Sequence, residues 1–270
     1  MGRHAKIPSF KLFGGKSYLE KWIRSYFPPH DVYIEPFGGA GTVLLNKDKS
    51  KVEIYSDANA KFVAILKEIK ANPKEFIAKL SAIPYTQENF EKAQASNADA
   101  VDWLIIQRWS RSGMGKNFSW GKNRQRGGKP ESINAWENFV GAIPKISERL
   151  KDTALWNQNY QKTITNNLNN GREKEFPLNK RLIYADPPYL PSTRATKDVY
   201  EYDMKESEHM TMLEYFTKIA NPYKIIISGY ESDLYNDTLK GWRLVKKDIA
   251  NNSGQGKTLN RRTECLYYNF

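Results

Sequence analysis

The spacing of apolar residues divides the chain into short elements that switch between a helical and an alternating period. Lys16–Phe27 carries Leu19, Trp22, Ile23 and Tyr26 at helical spacing and stops before Pro28-Pro29, so a helix is predicted there. Val32–Glu35 (VYIE) is a short apolar run closed by Pro36, the pattern of a strand. The glycine-rich stretch Phe37–Gly41 then turns the chain, and Thr42–Asn46 opens a second helix. Val52–Tyr55 reads as another strand, ending in Ser56-Asp57-Ala58-Asn59. Lys61–Leu80 is helical throughout, with a kink expected near Asn72-Pro73. From Tyr85 to Leu150 the pattern is helix plus one polar loop, without a strand signal. Strands resume at Ala154–Trp156, Leu182–Ala185, Lys224–Ser228, Trp242–Ile249 and Glu264–Tyr268, while Asn-rich Thr163–Lys174 reads as helix end and loop.

Strands alternating with helices predict an α/β fold, a Rossmann-like and mostly parallel sheet covered on both faces. The last two strands have no helix between them, which predicts an antiparallel C-terminal hairpin at one edge. The expected division is a main domain of residues 1–62 and 151–270, interrupted by a helical insertion, residues 63–150, that contains a basic loop at 105–130.

Composition narrows the class. With 270 residues, 40% hydrophobic and 13% aromatic, the chain can bury a core, so wholesale disorder is excluded. Lys plus Arg is 42 against 30 Asp plus Glu, a net +12 that favours a polyanionic partner. Cys265 is the single cysteine, which rules out an internal disulfide and predicts a cytoplasmic chain. One Cys and three His leave no Cys/His zinc site, and no metal is expected. No apolar run approaches the ~18 residues of a membrane helix, and Met1–Phe10 lacks the apolar core of a secretory signal.

The positive charge is concentrated. Ile105–Pro130 holds Arg108, Arg111, Lys116, Lys122, Arg124, Arg126 and Lys129 with no Asp or Glu, interleaved with glycines and with Trp109, Phe118 and Trp120. A loop shaped only for solubility mixes signs, so this one points to nucleic acid: cations neutralise phosphates and aromatic rings stack or wedge. A second basic stretch runs from Arg243 to Arg262.

Two strand ends carry candidate chemistry. The turn Phe37-Gly38-Gly39-Ala40-Gly41 follows a strand and opens a helix, where a nucleotide-like ligand lies in a doubly wound sheet, and Asp57 ends the next strand, where a carboxylate can accept from both hydroxyls of a ribose. Leu44 occupies the third glycine position of the dinucleotide fingerprint, which disfavours a nicotinamide enzyme. Gly14-Gly15-Lys16-Ser17 resembles the tail of a phosphate loop, but position 10 is Phe and no strand precedes it, so a nucleotide triphosphatase is disfavoured too. S-Adenosylmethionine has a ribose and no pyrophosphate, and fits this half-met pattern.

The second strand end is Asp186-Pro187-Pro188-Tyr189, directly after Leu182–Ala185. The prolines hold the turn extended and remove two N–H donors, so the strand tip offers a carboxylate, a rigid carbonyl and an aromatic face. Two acceptors can hold the hydrogens of an amine conjugated to a flat ring and turn its nitrogen toward tetrahedral geometry. A cysteine nucleophile for cytosine-C5 chemistry is lacking, because Cys265 sits in the last strand beside no proline.

In this order the motifs resemble the Dam-type DNA adenine-N6 methyltransferase family, bacterial or phage-encoded. Phe13-Gly14-Gly15-Lys16, Glu35-Pro36-Phe37-Gly38-Gly39-Ala40-Gly41, Asp57-Ala58-Asn59 and Asp186-Pro187-Pro188-Tyr189 carry the resemblance, with Ser228-Gly229-Tyr230 and Leu234-Tyr235 as a further recurring stretch. The resemblance implies S-adenosylmethionine as cofactor and double-stranded DNA as partner. It implies cofactor contacts from Leu12, Phe13, Gly14, Lys16, Glu35, Phe37, Gly39, Gly41, Asp57, Ala58, Trp156, Asn157 and Asp186. Asp186, Pro187, Pro188 and Tyr189 would serve a flipped-out adenine. Leu12 departs from the aromatic residue the family often has there. The insertion would be the target-recognition domain, with Arg108, Arg111, Lys116, Lys122, Asn123, Arg124, Gln125 and Arg126 as DNA contacts and Arg194 on a flanking phosphate. His209 reads as a structural helix residue, and a monomer or weak dimer is expected. Cytosine-N4 or RNA adenine-N6 methylation, and a non-enzymatic DNA-binding protein that kept the fold, are the alternatives.

Overall fold

The computed structural model describes residues 6–12, 14–121, 125–167, 175–193, 203–250 and 261–270. Its main sheet has seven strands in the order β5-β2-β1-β6-β7-β9-β8, where β1 is Val32–Glu35, β2 Val52–Asp57, β5 Thr153–Asn157, β6 Arg181–Ala185, β7 Lys224–Gly229, β8 Arg243–Ala250 and β9 Arg261–Tyr268. β1 pairs parallel with β6 (Val32 opposite Arg181) and β6 parallel with β7 (Leu182 opposite Lys224). β9 runs antiparallel to both β7 and β8, so the expected α/β class and the antiparallel hairpin at the edge are both present.

The chain forms two compact units: residues 1–24, 38–48 and 55–157, and residues 25–37, 49–54 and 158–270. The second unit holds β1, β6, β7 and the hairpin, with α8 (Tyr160–Asn167), α9 (Glu206–Ile219) and α10 (Asp233–Thr238). Every residue of β1 and β6 is buried, as expected of central parallel strands covered on both faces. His209, on α9, is fully buried with Nδ1 3.0 Å from the Tyr235 hydroxyl, the structural place the sequence suggested.

The first unit is mostly helical, with the end of β2, β5 and one small hairpin as its strands. It contains α1 (Glu20–Arg24), α2 (Thr42–Asn46), α3 (Ala60–Ala71), α4 (Pro73–Ser81), α5 (Gln87–Ser96), α6 (Ala100–Trp109) and α7 (Glu131–Leu150). Asn72-Pro73 separates α3 from α4, with Pro73 at a first helical position where its missing N–H costs nothing. α7 buries Trp136, Phe139, Val140, Ile143, Ile146 and Leu150, a helical stripe against the unit's core. One expectation fails in the middle of the chain, where no strand was foreseen: β3 (Gln125–Arg126) and β4 (Lys129–Pro130) form a small antiparallel hairpin. Its turn is Gly127-Gly128, both at positive φ (62° and 77°), and two-residue strands are too short to leave a periodic signal. Among the described residues no helix is long and apolar enough to cross a membrane.

Candidate active site

In the second unit the parallel neighbours β1 and β6 end side by side, with chain connections leading away in opposite directions, the place where open α/β sheets bind ligands. Glu35 closes β1 and is buried, its carboxylate accepting from the Tyr33 hydroxyl at 2.7 Å. Phe37 follows and stacks on Tyr160 of α8, ring centroids 5.4 Å apart. Asp186 follows β6. Its Oδ1 accepts from the Ser228 hydroxyl at 3.0 Å, and Ser228 Oγ in turn lies 3.0 Å from the Tyr184 hydroxyl. Tyr189 is 5% exposed; its hydroxyl donates to Glu264 of β9 at 2.5 Å and its ring meets Tyr230 edge-on at 4.5 Å. Burial, then the nearby Glu264 and Asp186 carboxylates, hold the Tyr189 phenol well above its usual range, so it stays a neutral donor. Sequence reasoning missed Glu264. Its only signal is an acid inside the apolar strand that continues Cys265-Leu266-Tyr267.

In the first unit the glycine turn is built around Tyr55 and Asp57. Gly38 N–H donates to Ser56 O at 2.9 Å, and a Cβ at Gly38 would sit 2.0 Å from the Tyr55 ring, so only glycine fits. The Tyr55 hydroxyl donates to Gly39 O at 2.6 Å. Gly39 N–H donates to Asp57 Oδ2 and Asn59 N–H to Asp57 Oδ1, both at 2.7 Å. The carboxylate thus clamps the turn to the strand end, a role beyond the one expected for it. Burial raises the Asp57 pKa to about 6 even though these two backbone bonds oppose the shift. Asn157 on β5 donates to the carbonyls of Asp57 (2.9 Å) and Ala58 (3.0 Å), and neighbouring Trp156 is half-buried. Lys16 is buried with Nζ 3.3 Å from Gly14 O, and Leu12 packs toward Gly39, its Cδ2 3.0 Å from where a Cβ would stand.

The basic segment is also in the first unit. The bend after α6 is pinned by Ser119 N–H to Trp109 O (2.7 Å), Arg111 N–H to Asn117 O (2.7 Å) and Tyr85 hydroxyl to Ser119 O (2.9 Å). Arg111, Lys116 and Gln125 are exposed, as is Trp120, which stacks on Phe118. Arg108 is different: its guanidinium donates to Ser9 O (3.1 Å) and Ala135 O (2.8 Å) and lies over the Phe139 ring. Phe13, Lys122, Asn123, Arg124 and Arg194 lie outside the described residues, as does the side chain of Arg126. Among the described residues no group of His, Cys, Asp and Glu could hold a metal ion.

Residues 13–102 match the family model of the D12 class N6 adenine-specific DNA methyltransferases. The DNA adenine methylase of Escherichia coli (strain K12) is 23% identical, the alignment covering 92% of this chain and 90% of that protein. The enzyme of the same name from Salmonella typhi is 22% identical over 92% of this chain and 90% of its own, and that of Serratia marcescens 21% identical over 90% and 93%. A solved SAM dependent methyltransferase from Agrobacterium tumefaciens aligns with 94% of this chain and 60% of its own at a TM-score of 0.39 and 9% identity; the fold assignment rests on the strand order instead. Residues 13–102 thus resemble the D12 class of N6 adenine-specific DNA methyltransferases, and the chain is similar over most of its length to bacterial DNA adenine methylases.

Proposed function

We propose that the chain transfers a methyl group from S-adenosylmethionine to the N6 amine of adenine in double-stranded DNA, with the base turned out of the helix. The observation that carries the reading is the tip of β6, where Asp186, braced by Ser228, precedes two prolines and an anchored Tyr189.

The glycine turn fits the cofactor. Gly38 leaves no room for a side chain, Gly39 and Gly41 take positive φ (48° and 63°), and each Asp57 oxygen can accept again beyond its backbone bond, as two ribose hydroxyls require. Lys16, Phe37, Gly39, Asp57, Ala58 and Asn157 are assigned to holding it, Asn157 by fixing the backbone at Asp57 and Ala58. When bound, the cofactor supplies a methyl group on a sulfonium centre.

The chain's own residues handle the amine. The Asp186 carboxylate and the Pro187 carbonyl accept its two hydrogens and turn the nitrogen lone pair out of the ring's conjugation. Positioning of this kind is worth roughly 7–11 kcal/mol of a barrier. The carboxylate also favours the positive charge that grows on the nitrogen. The amine becomes acidic as it is methylated, so its proton leaves without a strong base. Tyr189, nearly buried, acts as an aromatic wall for the base. Turning the base out costs a few kcal/mol of unstacking, offset by contacts from the basic segment.

Duplex DNA and, in a parallel reaction, RNA, each incubated with labelled cofactor and digested to nucleosides, test this. N6-methyladenine is the expected product; label in N4-methylcytosine, label only in RNA, or no transfer overturns the reading.

A further inference from the structure

The N-terminal segment ahead of α1 runs beside α2 and α6, and together they line an open hollow of about 350 Å³ in the first unit. Lys6, Ser9, Lys11, Ser17, Thr42 and Arg108 are its polar lining, and among the described residues no carboxylate lines it. The three cations are held by backbone carbonyls: Lys11 Nζ donates to Ser110 O at 3.0 Å, Arg108 to Ser9 O and Ala135 O, and Lys6 Nζ to Ser17 O. Arg108 Nε is buried without a hydrogen-bond partner. Ser9 and Thr42 place their hydroxyls 2.8 Å apart at the same wall.

Charges gathered this way repel. Burial and the neighbouring Arg108 lower the Lys11 pKa, and burial lowers that of Arg108 to about 10. Cations without a carboxylate are stabilised by an anion, and hydroxyls beside guanidinium and ammonium groups suit one with several oxygens. The volume is about ten times a water's share of the liquid, ~30 Å³, so a tetrahedral oxyanion and a few waters fit.

We propose that this hollow is a phosphate-binding site, filled during the reaction by a phosphodiester of the DNA substrate. Lys6 and Lys11 supply point charges, Arg108 a directed donor, and Ser9 and Thr42 hydroxyl contacts. The DNA source rests on the function proposed above; the phosphate chemistry does not.

Two measurements on the full chain test the site. Titration with inorganic phosphate at constant ionic strength, with chloride as control, is expected to show saturable binding that K6Q/K11Q weakens at least tenfold. The salt dependence of duplex binding, log affinity against log salt, is expected to become shallower in K6Q/K11Q by about 0.9, the value for one neutralised phosphate. K6Q alone, at an exposed position, serves if the double variant does not fold. No saturable phosphate binding together with an unchanged slope overturns the site. Phosphate binding with an unchanged slope upholds the site and assigns it to free phosphate. A wild-type chain that binds phosphate and no DNA overturns the proposed function while the site stands.

Discussion

The hydroxyl of Tyr189 donates to a Glu264 carboxylate oxygen at 2.5 Å, and both side chains are at least nine-tenths buried. Glu264 comes from the last strand of the sheet, so the ring that follows the two prolines is fixed from across the fold rather than by its own turn. Glu264→Gln keeps an acceptor there; Glu264→Leu removes that acceptor from the buried Tyr189 hydroxyl, at about 1–3 kcal/mol. The leucine variant is therefore expected to lose turnover at saturating cofactor, and the glutamine variant to recover most of it. A double-mutant cycle with Tyr189→Phe supplies the sharper check. If Glu264 acts through the phenol, the two changes are non-additive in kcat by 0.5–3 kcal/mol. Additive losses would show that Glu264 works by some other route.

Ser228 does for Asp186 what Glu264 does for Tyr189. Its hydroxyl donates to Asp186 Oδ1 and sits within reach of the Tyr184 hydroxyl, in a place 1% exposed. Ser228→Ala removes one hydrogen bond to a charged group, about 1.5–3 kcal/mol by the usual range. The expected outcome is kcat reduced about tenfold or more, with cofactor affinity by calorimetry little changed. Asp186→Ala is expected to abolish transfer outright. A Ser228→Ala enzyme with wild-type turnover would show that Asp186 is held by its own turn alone.

Much of this arrangement could be read from the chain because it depends on local rules. A strand closed by Pro36 and opening into glycines has few ways to fold, and Pro187 keeps the backbone of Asp186 extended whatever surrounds it. Phe37 to Asn46 and the strand at Val32 come out where the hydrophobic pattern puts them. Partners from distant sequence could not be read. Glu264 is one carboxylate in an apolar strand, and only the antiparallel pairing of β9 with β7 carries it to Tyr189. Arg108 looked like its basic neighbours, yet its distance along the chain from Ser9 conceals that both its terminal nitrogens reach backbone carbonyls while Nε keeps its donor. The hairpin at Gly127-Gly128 was too short for a periodic signal.

Asp57 predicts a pH dependence of cofactor binding. Its carboxyl titrates near 6, above its ordinary 3.8, because burial disfavours the charge. Between these two values the folded chain binds a proton more tightly than the unfolded one, so Asp57's contribution to stability decreases as pH rises through that window. A ligand whose hydroxyls donate to the carboxylate needs the ionised form and pulls the pKa back down. Cofactor affinity is thus expected to hold above about pH 7 and to fall as pH drops through 6, with proton release on binding near pH 5.5. Calorimetry in two buffers of different ionisation enthalpy measures that release. Asp57→Asn should bind weakly at every pH and release no proton; a wild-type affinity constant from pH 7.5 to 5 would remove Asp57 from the cofactor site.

Two glycines separate crowding from backbone strain. A Cβ at Gly38 would stand 2.0 Å from the ring of Tyr55, a fully buried residue whose hydroxyl holds Gly39 O. Gly38→Ala must therefore displace the ring, open space in the core and release the turn, an overpacking cost of about 3 kcal/mol or more. Gly127 sits at φ 62° with nothing within 4 Å of its added Cβ, so Gly127→Ala pays only the left-handed backbone, about 1–2 kcal/mol. At roughly 2–4 °C per kcal/mol for a chain of this size, the first variant is expected to melt well below the second. Gly38→Ala should also lose cofactor affinity in proportion to the lost clamp between Gly39 and Asp57. Equal melting points, or a Gly38→Ala protein that binds cofactor normally, would show that Tyr55 can give way and that the tight turn is not what shapes the pocket.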